Sequence, residues 1–173
     1  MKKIKAIAVA LLIANSFWSC EKDDICPDGS ATTPSLIVEF YNKDNRTEPK
    51  SANLKYYAVG METKADSIIG TRLELPLKTN EDITKWALIL RTQEMNELIP
   101  NTDFIEFKYT RRDEYISRAC GYKTVFTLNT DTEAEPNPVL SDTIPPDNLW
   151  IQSFSVEQPN IIDENEVHFK IYF

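Results

Sequence analysis

The sequence predicts an all-β protein, an antiparallel β-sandwich, Ig-like or similar, of about eight or nine strands. Two observations support this fold class. Hydrophobic residues recur at every second position in several short segments, which is the period of a strand with one buried face. Turn-forming residues separate these segments, and none has the apolar period of a long amphipathic helix. The clean alternation argues against a parallel sheet, whose strands are apolar on both faces.

The alternation is clearest at the two ends of the body. Leu36, Val38 and Phe40 form the apolar face of the first strand. In the last segment, Phe169 and Ile171 face one way, and the opposite face, which includes His168, is expected to meet solvent. The alternating segments are residues 36–41, 54–59, 86–90, 105–109, 122–128 and 166–173, and shorter candidates are 68–69, 72–75, 115–118 and 150–156.

Residues 1–19 read as an export signal that ends before Cys20. Three lysines precede an apolar run over residues 4–13, which is too short to span a bilayer as a finished helix. Ser19 is a small residue of the kind that precedes a lipidated cysteine, although Phe17 and Trp18 depart from the strict lipoprotein pattern. We therefore expect Cys20 to carry the lipid. A plain secretory signal and a retained transmembrane helix are the alternatives.

The residues that follow the cysteine are Glu21, Lys22, Asp23 and Asp24. This run resembles the lysine-and-acid signal that sends Bacteroidota lipoproteins to the outer face of the outer membrane. The sequence therefore predicts lipid anchoring at the cell surface. Retention at the periplasmic face is the alternative, and a simple charged tether is the structural interpretation.

Without residues 1–19, the remaining chain has the length of a single domain. A tether is expected over 20–34 and a single sandwich domain over 35–173. The signal holds three of the 19 basic residues and none of the 27 acidic ones, so the mature net charge is −11. Such a surface argues against nucleic acid as a partner. It also argues against electrostatic adhesion to anionic lipid, so the acyl chains must hold the protein to the membrane.

Two cysteines remain after lipidation, Cys26 and Cys120. An oxidising compartment favours a disulfide, and two inert thiols are the alternative. A bridge would close a loop of just under 100 residues, worth roughly 4–5 kcal/mol in the chain-entropy model. Two thiols and one histidine are too few ligands for zinc, and the acidic clusters lack EF-hand spacing. We expect no metal and no cofactor.

The segment 129–148 is acidic and rich in proline, and it is expected to be a long exposed loop. Within it, Thr143 follows Asp142 and precedes an apolar residue, and Ser67 has the same surroundings. Both tripeptides look like the O-glycosylation signal of Bacteroidota. We predict modification of Thr143, because its loop is accessible, and less often of Ser67.

Catalytic signals are weak. No serine lies in a nucleophile elbow, and the four glycines are too far apart to cradle a phosphate. Several aromatic residues could stack on a sugar, although aromatic residues in alternating strands usually belong to the core. Trp86 shares a face with Leu88 and Leu90 and is assigned to the core, whereas Trp150 is the better candidate for an exposed stacking residue. The other candidates are Tyr56, Tyr57, Tyr115 and Tyr122.

Three sequence segments resemble those of a family of uncharacterised Bacteroidota lipoproteins. They are Thr33-Pro34 leading into residues 36–41, the run 73–77 with Asn80, and the run 117–122. The resemblance covers roughly residues 26–173. It implies a disulfide between the N-terminal cysteine and the cysteine of the Arg-x-Cys-Gly run, hence between Cys26 and Cys120. It implies no activity and no catalytic residues.

Taken together, the sequence predicts a non-catalytic, lipid-anchored lipoprotein of the cell envelope or cell surface. Its expected role is a binding or accessory module of an outer-membrane assembly, with an unidentified protein or glycan ligand. The alternative is a small extracytoplasmic hydrolase that acts on glycans. A pocket in which several acids or His168 converge would favour the hydrolase.

Overall fold

The computed structural model describes residues 25–94 and 97–173. In that part of the chain, eleven strands and one short 3-10 helix over Glu62–Lys64 form the fold. The strands are β1 Leu36–Tyr41, β2 Ala52–Ala58, β3 Asp66–Gly70, β4 Arg72–Leu75, β5 Ile83–Glu94, β6 Glu97–Ser117, β7 Gly121–Leu128, β8 Val139–Ser141, β9 Ser153–Val156, β10 Asn160–Ile161 and β11 Phe169–Tyr172.

The strands form two sheets. One has the order β4-β1-β11-β9, and the other has the order β10-β7-β6-β5-β2-β3, with β8 added against β6. Most neighbouring strands run antiparallel, which confirms the predicted all-β, sandwich-like class. β1 pairs with β11 in parallel instead, with Val38 opposite Phe169.

The chain divides into two compact units. The larger unit, which we call the sandwich unit, contains Thr32–Glu114 and Lys123–Phe173. The smaller one, which we call the tip unit, contains Tyr115–Tyr122 together with the N-terminal part of the chain, described from residue 25 to residue 31.

The core of the sandwich unit is built from the alternating residues of both sheets. Phe107 on β6 and Phe169 on β11 are fully buried, and their rings meet edge to face with centroids 5.2 Å apart. This arrangement is the preferred one for aromatic rings. The two sheets are therefore joined by direct aromatic packing across the core.

The predicted loop over 129–148 contains more structure than the sequence indicated. Residues 139–141 form β8, which pairs with β6. Asn137 is buried, and its side chain accepts from the Lys108 N–H and donates to the carbonyl oxygens of Lys108 and Asn129. The Asn137 amide thus forms, with the backbone of Lys108, the pair of hydrogen bonds that a neighbouring strand would otherwise form. The composition of the segment predicted an exposed loop and gave no sign of this buried contact.

Candidate functional site

An open groove of about 600 Å³ lies in the sandwich unit, where an edge strand from each sheet comes close to the other. β3 ends the larger sheet, β4 ends the smaller one, and only Thr71 separates them in the sequence. The Thr71 carbonyl accepts a hydrogen bond from the Phe40 N–H at 2.9 Å. The crossing of the chain from one sheet to the other therefore positions the groove.

The floor of the groove is apolar. It is lined by Ala58, Leu77 and Trp86, all of which are buried. Tyr56 is half-buried beside Trp86, with ring centroids 6.0 Å apart and planes tilted by 50°. The indole N–H of Trp86 is buried and has no hydrogen-bond partner among the described residues. The placement of Trp86 in the core confirms the sequence-based assignment.

Tyr56 also links the floor to the rim. Its hydroxyl donates to Asp66 Oδ2 at 3.3 Å. Burial raises the pKa of Tyr56 above its ordinary value, and the negative charge of Asp66 raises it further. The phenol therefore stays protonated at neutral pH and presents a fixed hydroxyl.

A buried network holds the wall that follows β4. Tyr109 donates to the Lys78 carbonyl at 3.0 Å, and Thr84 Oγ1 accepts from the Lys78 N–H at 3.0 Å. The two hydroxyl oxygens lie 2.6 Å apart. Burial is the main reason why the pKa of Tyr109 is raised. Because its backbone is fixed on both sides, this wall is formed before any ligand arrives.

The rim carries charges of both signs. Lys64 and Lys78 provide two cations, and Asp66 and Glu74 provide two anions. Lys78 is already paired with Glu81 at 2.9 Å. With Glu81 included, the rim holds two bases and three acids, so it has no excess of cations and disfavours anionic ligands.

The opposite wall depends on a turn that only glycine makes readily. Gly60 has φ 89°, a left-handed conformation that a side chain would strain. Its N–H donates to Glu62 Oε1 at 2.8 Å, at the start of the 3-10 helix. This turn brings Met61 and Lys64 to the groove.

His168 is not on a solvent-facing surface, so that expectation was wrong. It is 1% exposed, and its ring Nδ1 accepts from the Ile37 N–H at 3.0 Å, while the backbone N–H of His168 donates to the Ile37 carbonyl. His168 precedes β11, so the alternation within the strand does not apply to it. Burial lowers its pKa, which keeps the ring neutral and able to accept. Its role is to join β1 to the start of β11.

Trp150 was also predicted wrongly, as an exposed stacking residue. It is 7% exposed, its Nε1 donates to the Leu88 carbonyl at 3.1 Å, and its ring packs edge to face on Phe173 at 5.3 Å. Trp150 lies in the connection before β9, where the chain turns inward and the indole N–H finds a backbone acceptor. It is a core residue and offers no platform to a ligand.

One acid has a strongly perturbed pKa, and it lies outside the groove. Asp103 is fully buried, and burial raises its pKa to about 6. The Ile151 N–H donates to its Oδ2 at 2.8 Å, which partly opposes this rise. Sealed from solvent, Asp103 anchors the Trp150–Ile151 connection. It lines neither the groove nor the crevice beside Tyr115.

The disulfide between Cys26 and Cys120 is present, as predicted. Both residues belong to the tip unit, and their Cα atoms lie 4.8 Å apart. Beside the bridge, the rings of Tyr115 and Tyr122 meet edge to face with centroids 5.3 Å apart, and both are exposed. A shallow crevice of about 480 Å³ adjoins Tyr115.

The proposed modification sites differ in accessibility. Ser67 is exposed on the edge strand β3. Thr143 is half-buried, and its hydroxyl donates to the Pro145 carbonyl at 2.9 Å. Accessibility therefore favours Ser67, the reverse of the predicted order. Modification of either residue stays a prediction.

Several predicted features lie outside the described residues. These are the signal over 1–19, the lipidated Cys20 and the export residues Glu21, Lys22, Asp23 and Asp24. Across residues 25–94 and 97–173, no helix is long and apolar enough to cross a membrane. Within the same ranges, no three metal-binding side chains of the His, Cys, Asp or Glu type come together.

The fold and the groove define a disulfide-bonded, two-sheet β-protein with a preformed, apolar-floored groove at its sheet edges. The chain belongs to a family of unknown function, DUF6452, whose model matches residues 53–173. The match begins within β2, so β1 and Cys26 lie before it. No curated protein and no solved structure matches the chain.

Proposed function

We propose that the protein is a lipid-anchored, non-catalytic binding module of the bacterial cell envelope, and that its ligand occupies the groove. The observation that carries this proposal is the groove itself. An aromatic and aliphatic floor lies inside a polar rim with charges of both signs, and a buried hydrogen-bond network fixes one wall. These are the features of a site that binds without needing to rearrange.

The anchor is supported by the sequence. A basic and apolar signal ends at Cys20, and Glu21, Lys22, Asp23 and Asp24 resemble the surface-export signal of Bacteroidota lipoproteins. We place the domain on the outer face of the outer membrane. The periplasmic face is the alternative.

The groove favours an uncharged glycan. Tyr56 offers a half-exposed ring beside Trp86, and sugars pack their apolar faces against such rings. Asp66, Thr79 and Asn80 supply exposed hydrogen-bonding groups around it. A protein ligand is the alternative, because β3 and β4 end their sheets and an extended peptide can pair with such an edge.

The groove is tested with two neighbouring tyrosines of β2. Tyr56 lines the groove, whereas Tyr57 points to the opposite face of the strand and does not line it. We expect acylated, detergent-solubilised protein to bind members of an array of uncharged oligosaccharides. Tyr56→Ala should weaken this binding about twofold to thirteenfold, because a stacking contact contributes about 0.5–1.5 kcal/mol.

Tyr57→Ala is the matched control and should bind like the wild type. Equal losses in the two variants would contradict the assignment of the groove. An array without any binding, combined with capture of extended peptides that Tyr56→Ala abolishes, would replace the glycan with a protein ligand.

The anchor is tested separately in the native host. The intact mass of the mature protein should correspond to a chain that begins at an acylated Cys20, and Cys20→Ala should abolish acylation. Protease added to intact cells should digest the protein if it is displayed at the surface. Full protection of an acylated protein would place it at the periplasmic face.

Glycan hydrolysis is the second candidate function, and the observation in its favour is the pair of acids at the rim. Asp66 and Glu74 line the groove from the two edge strands, and a glycosidase requires two carboxylates that flank its substrate. If the protein releases reducing ends from a bound glycan, and Asp66→Asn and Glu74→Gln each abolish the release, the enzyme function replaces the binding function.

A further inference from the structure

The tip unit presents an exposed apolar surface close to the start of the described chain. Ile25, Tyr115 and Tyr122 are 78%, 58% and 69% exposed. Arg118 is exposed between the two tyrosines in the sequence. We call these four residues the tip cluster. Large exposed side chains grouped in this way mark a contact surface.

We infer that the tip cluster lies in the headgroup region of the membrane and fixes the orientation of the anchored domain. This inference rests on the proposed lipid anchor at Cys20. It adds a second point of membrane contact, made by side chains.

The length of chain between the lipid and the disulfide limits the choice of partner. Only six peptide bonds separate Cys20 from Cys26, so the two Cα atoms lie at most about 20 Å apart. Cys26 is bonded to Cys120, which lies between Arg118 and Tyr122 in the sequence. The bridge therefore keeps the tip cluster within reach of the bilayer, whichever way the rest of the chain turns.

The chemistry of the tip cluster suits that position. Tyrosine prefers the membrane interface because its ring is apolar and its hydroxyl is polar, and Ile25 adds apolar area. The guanidinium of Arg118 matches lipid phosphate in charge and geometry.

Charge also separates this surface from the rest of the protein. The tip cluster contains one charged side chain, the cation Arg118, whereas three acids and one base lie in the tether over residues 21–24. The mature chain as a whole carries −11. Anionic headgroups repel acidic protein surfaces, so a surface whose single charge is a cation can approach them closely.

The depth of the tip cluster can be measured with a tryptophan in place of Tyr122. Full-length, acylated Tyr122→Trp is reconstituted into vesicles of phosphatidylcholine and phosphatidylglycerol whose acyl chains carry bromine near the headgroups. The buried Trp86 and Trp150 are present in all variants, so the fluorescence of the wild type is subtracted to give that of the added tryptophan. Ile69→Trp, at a 75% exposed position of β3, is the matched control.

We expect brominated lipid to quench the added fluorescence of Tyr122→Trp and to leave that of Ile69→Trp unchanged. Tyr115→Trp provides a second reporter on the neighbouring ring and should be quenched as well. Equal quenching of the tip and control positions would mean that the domain tumbles freely on its tether, which overturns the inference.

The experiment distinguishes a failure of the proposed anchor from a failure of the proposed orientation. If the wild-type protein floats with vesicles and has the mass of an acylated chain, but neither tip variant is quenched, the inference is overturned and the anchor stands. If the mass lacks the acyl chains and the protein does not float, the proposed anchor falls and this inference falls with it.

Discussion

Two aromatic pairs in this molecule have nearly the same geometry and opposite surroundings. Phe107 and Phe169 in the sandwich unit meet edge to face at 5.2 Å, and Tyr115 and Tyr122 in the tip unit do so at 5.3 Å. The first pair is fully buried, and the second is mostly exposed. Ring geometry alone therefore does not show what a pair contributes. Burial makes the first pair a source of stability and leaves the second available for an external contact.

Removing one ring from each pair should show the largest difference in stability between the buried pair and the exposed pair. Phe107→Ala should lower the free energy of unfolding by about 3–5 kcal/mol, because it leaves a cavity between the two sheets. Tyr122→Ala should change it by no more than about 0.5 kcal/mol, because the lost ring was already in solvent. Urea denaturation of both variants measures the two values. Similar losses would show that the tip pair is a structural element after all.

The disulfide should have the second-largest effect. It closes a loop of 94 residues, and its removal in a Cys26→Ser, Cys120→Ser double variant should cost about 2–4 kcal/mol by releasing the unfolded chain. Denaturation of the variant and of the wild type, both without reductant, measures this difference. A variant as stable as the wild type would show that the bridge only positions the tip unit.

A smaller effect should follow from the buried Asp103. Its pKa is about 6 in the folded protein, above the value of an unfolded aspartate, so the folded state binds more protons between these two values. The stability contributed by this residue therefore falls as pH rises from about 4 to about 6. The advantage of the wild type over Asp103→Asn should shrink by about 1–3 kcal/mol over this range.

The test compares denaturation curves of the two proteins at each pH. His168 acts in the opposite direction, since burial lowers its pKa and stability is lost as pH falls below the pKa of an unfolded histidine. His168 is present in both proteins, so its contribution cancels in the difference. A difference that does not vary with pH would contradict the assignment of the raised pKa to Asp103.

The sequence was informative wherever a strand has one buried face. Residues 36–41 and 169–173 were predicted because their apolar side chains face the core at every second position. The far part of β6 was predicted less well, since residues 110–113 are exposed on both faces and show no alternation. His168 and Trp150 failed for a related reason. They lie just outside strands, where the chain turns inward and backbone hydrogen bonds determine burial.

The groove was beyond the reach of the sequence. Tyr56 and Trp86 were recognised as aromatic residues, but their meeting depends on β2 and β5 being neighbours. The site further depends on β3 and β4 each ending a sheet. Strand order follows from the whole set of competing pairings, which local periodicity does not encode.

The parallel pairing of β1 with β11 has a consequence for the timing of folding. Val38 and Phe169 are neighbours in space but are separated by about three quarters of the chain. The smaller sheet cannot form until β11 has left the ribosome, and closing so long a loop slows folding. The smaller sheet therefore stays incomplete until the chain is almost fully made. A chain without its second sheet passes a narrow translocation channel more readily than a folded domain, so the pairing that completes the native sheet also delays folding during the proposed export.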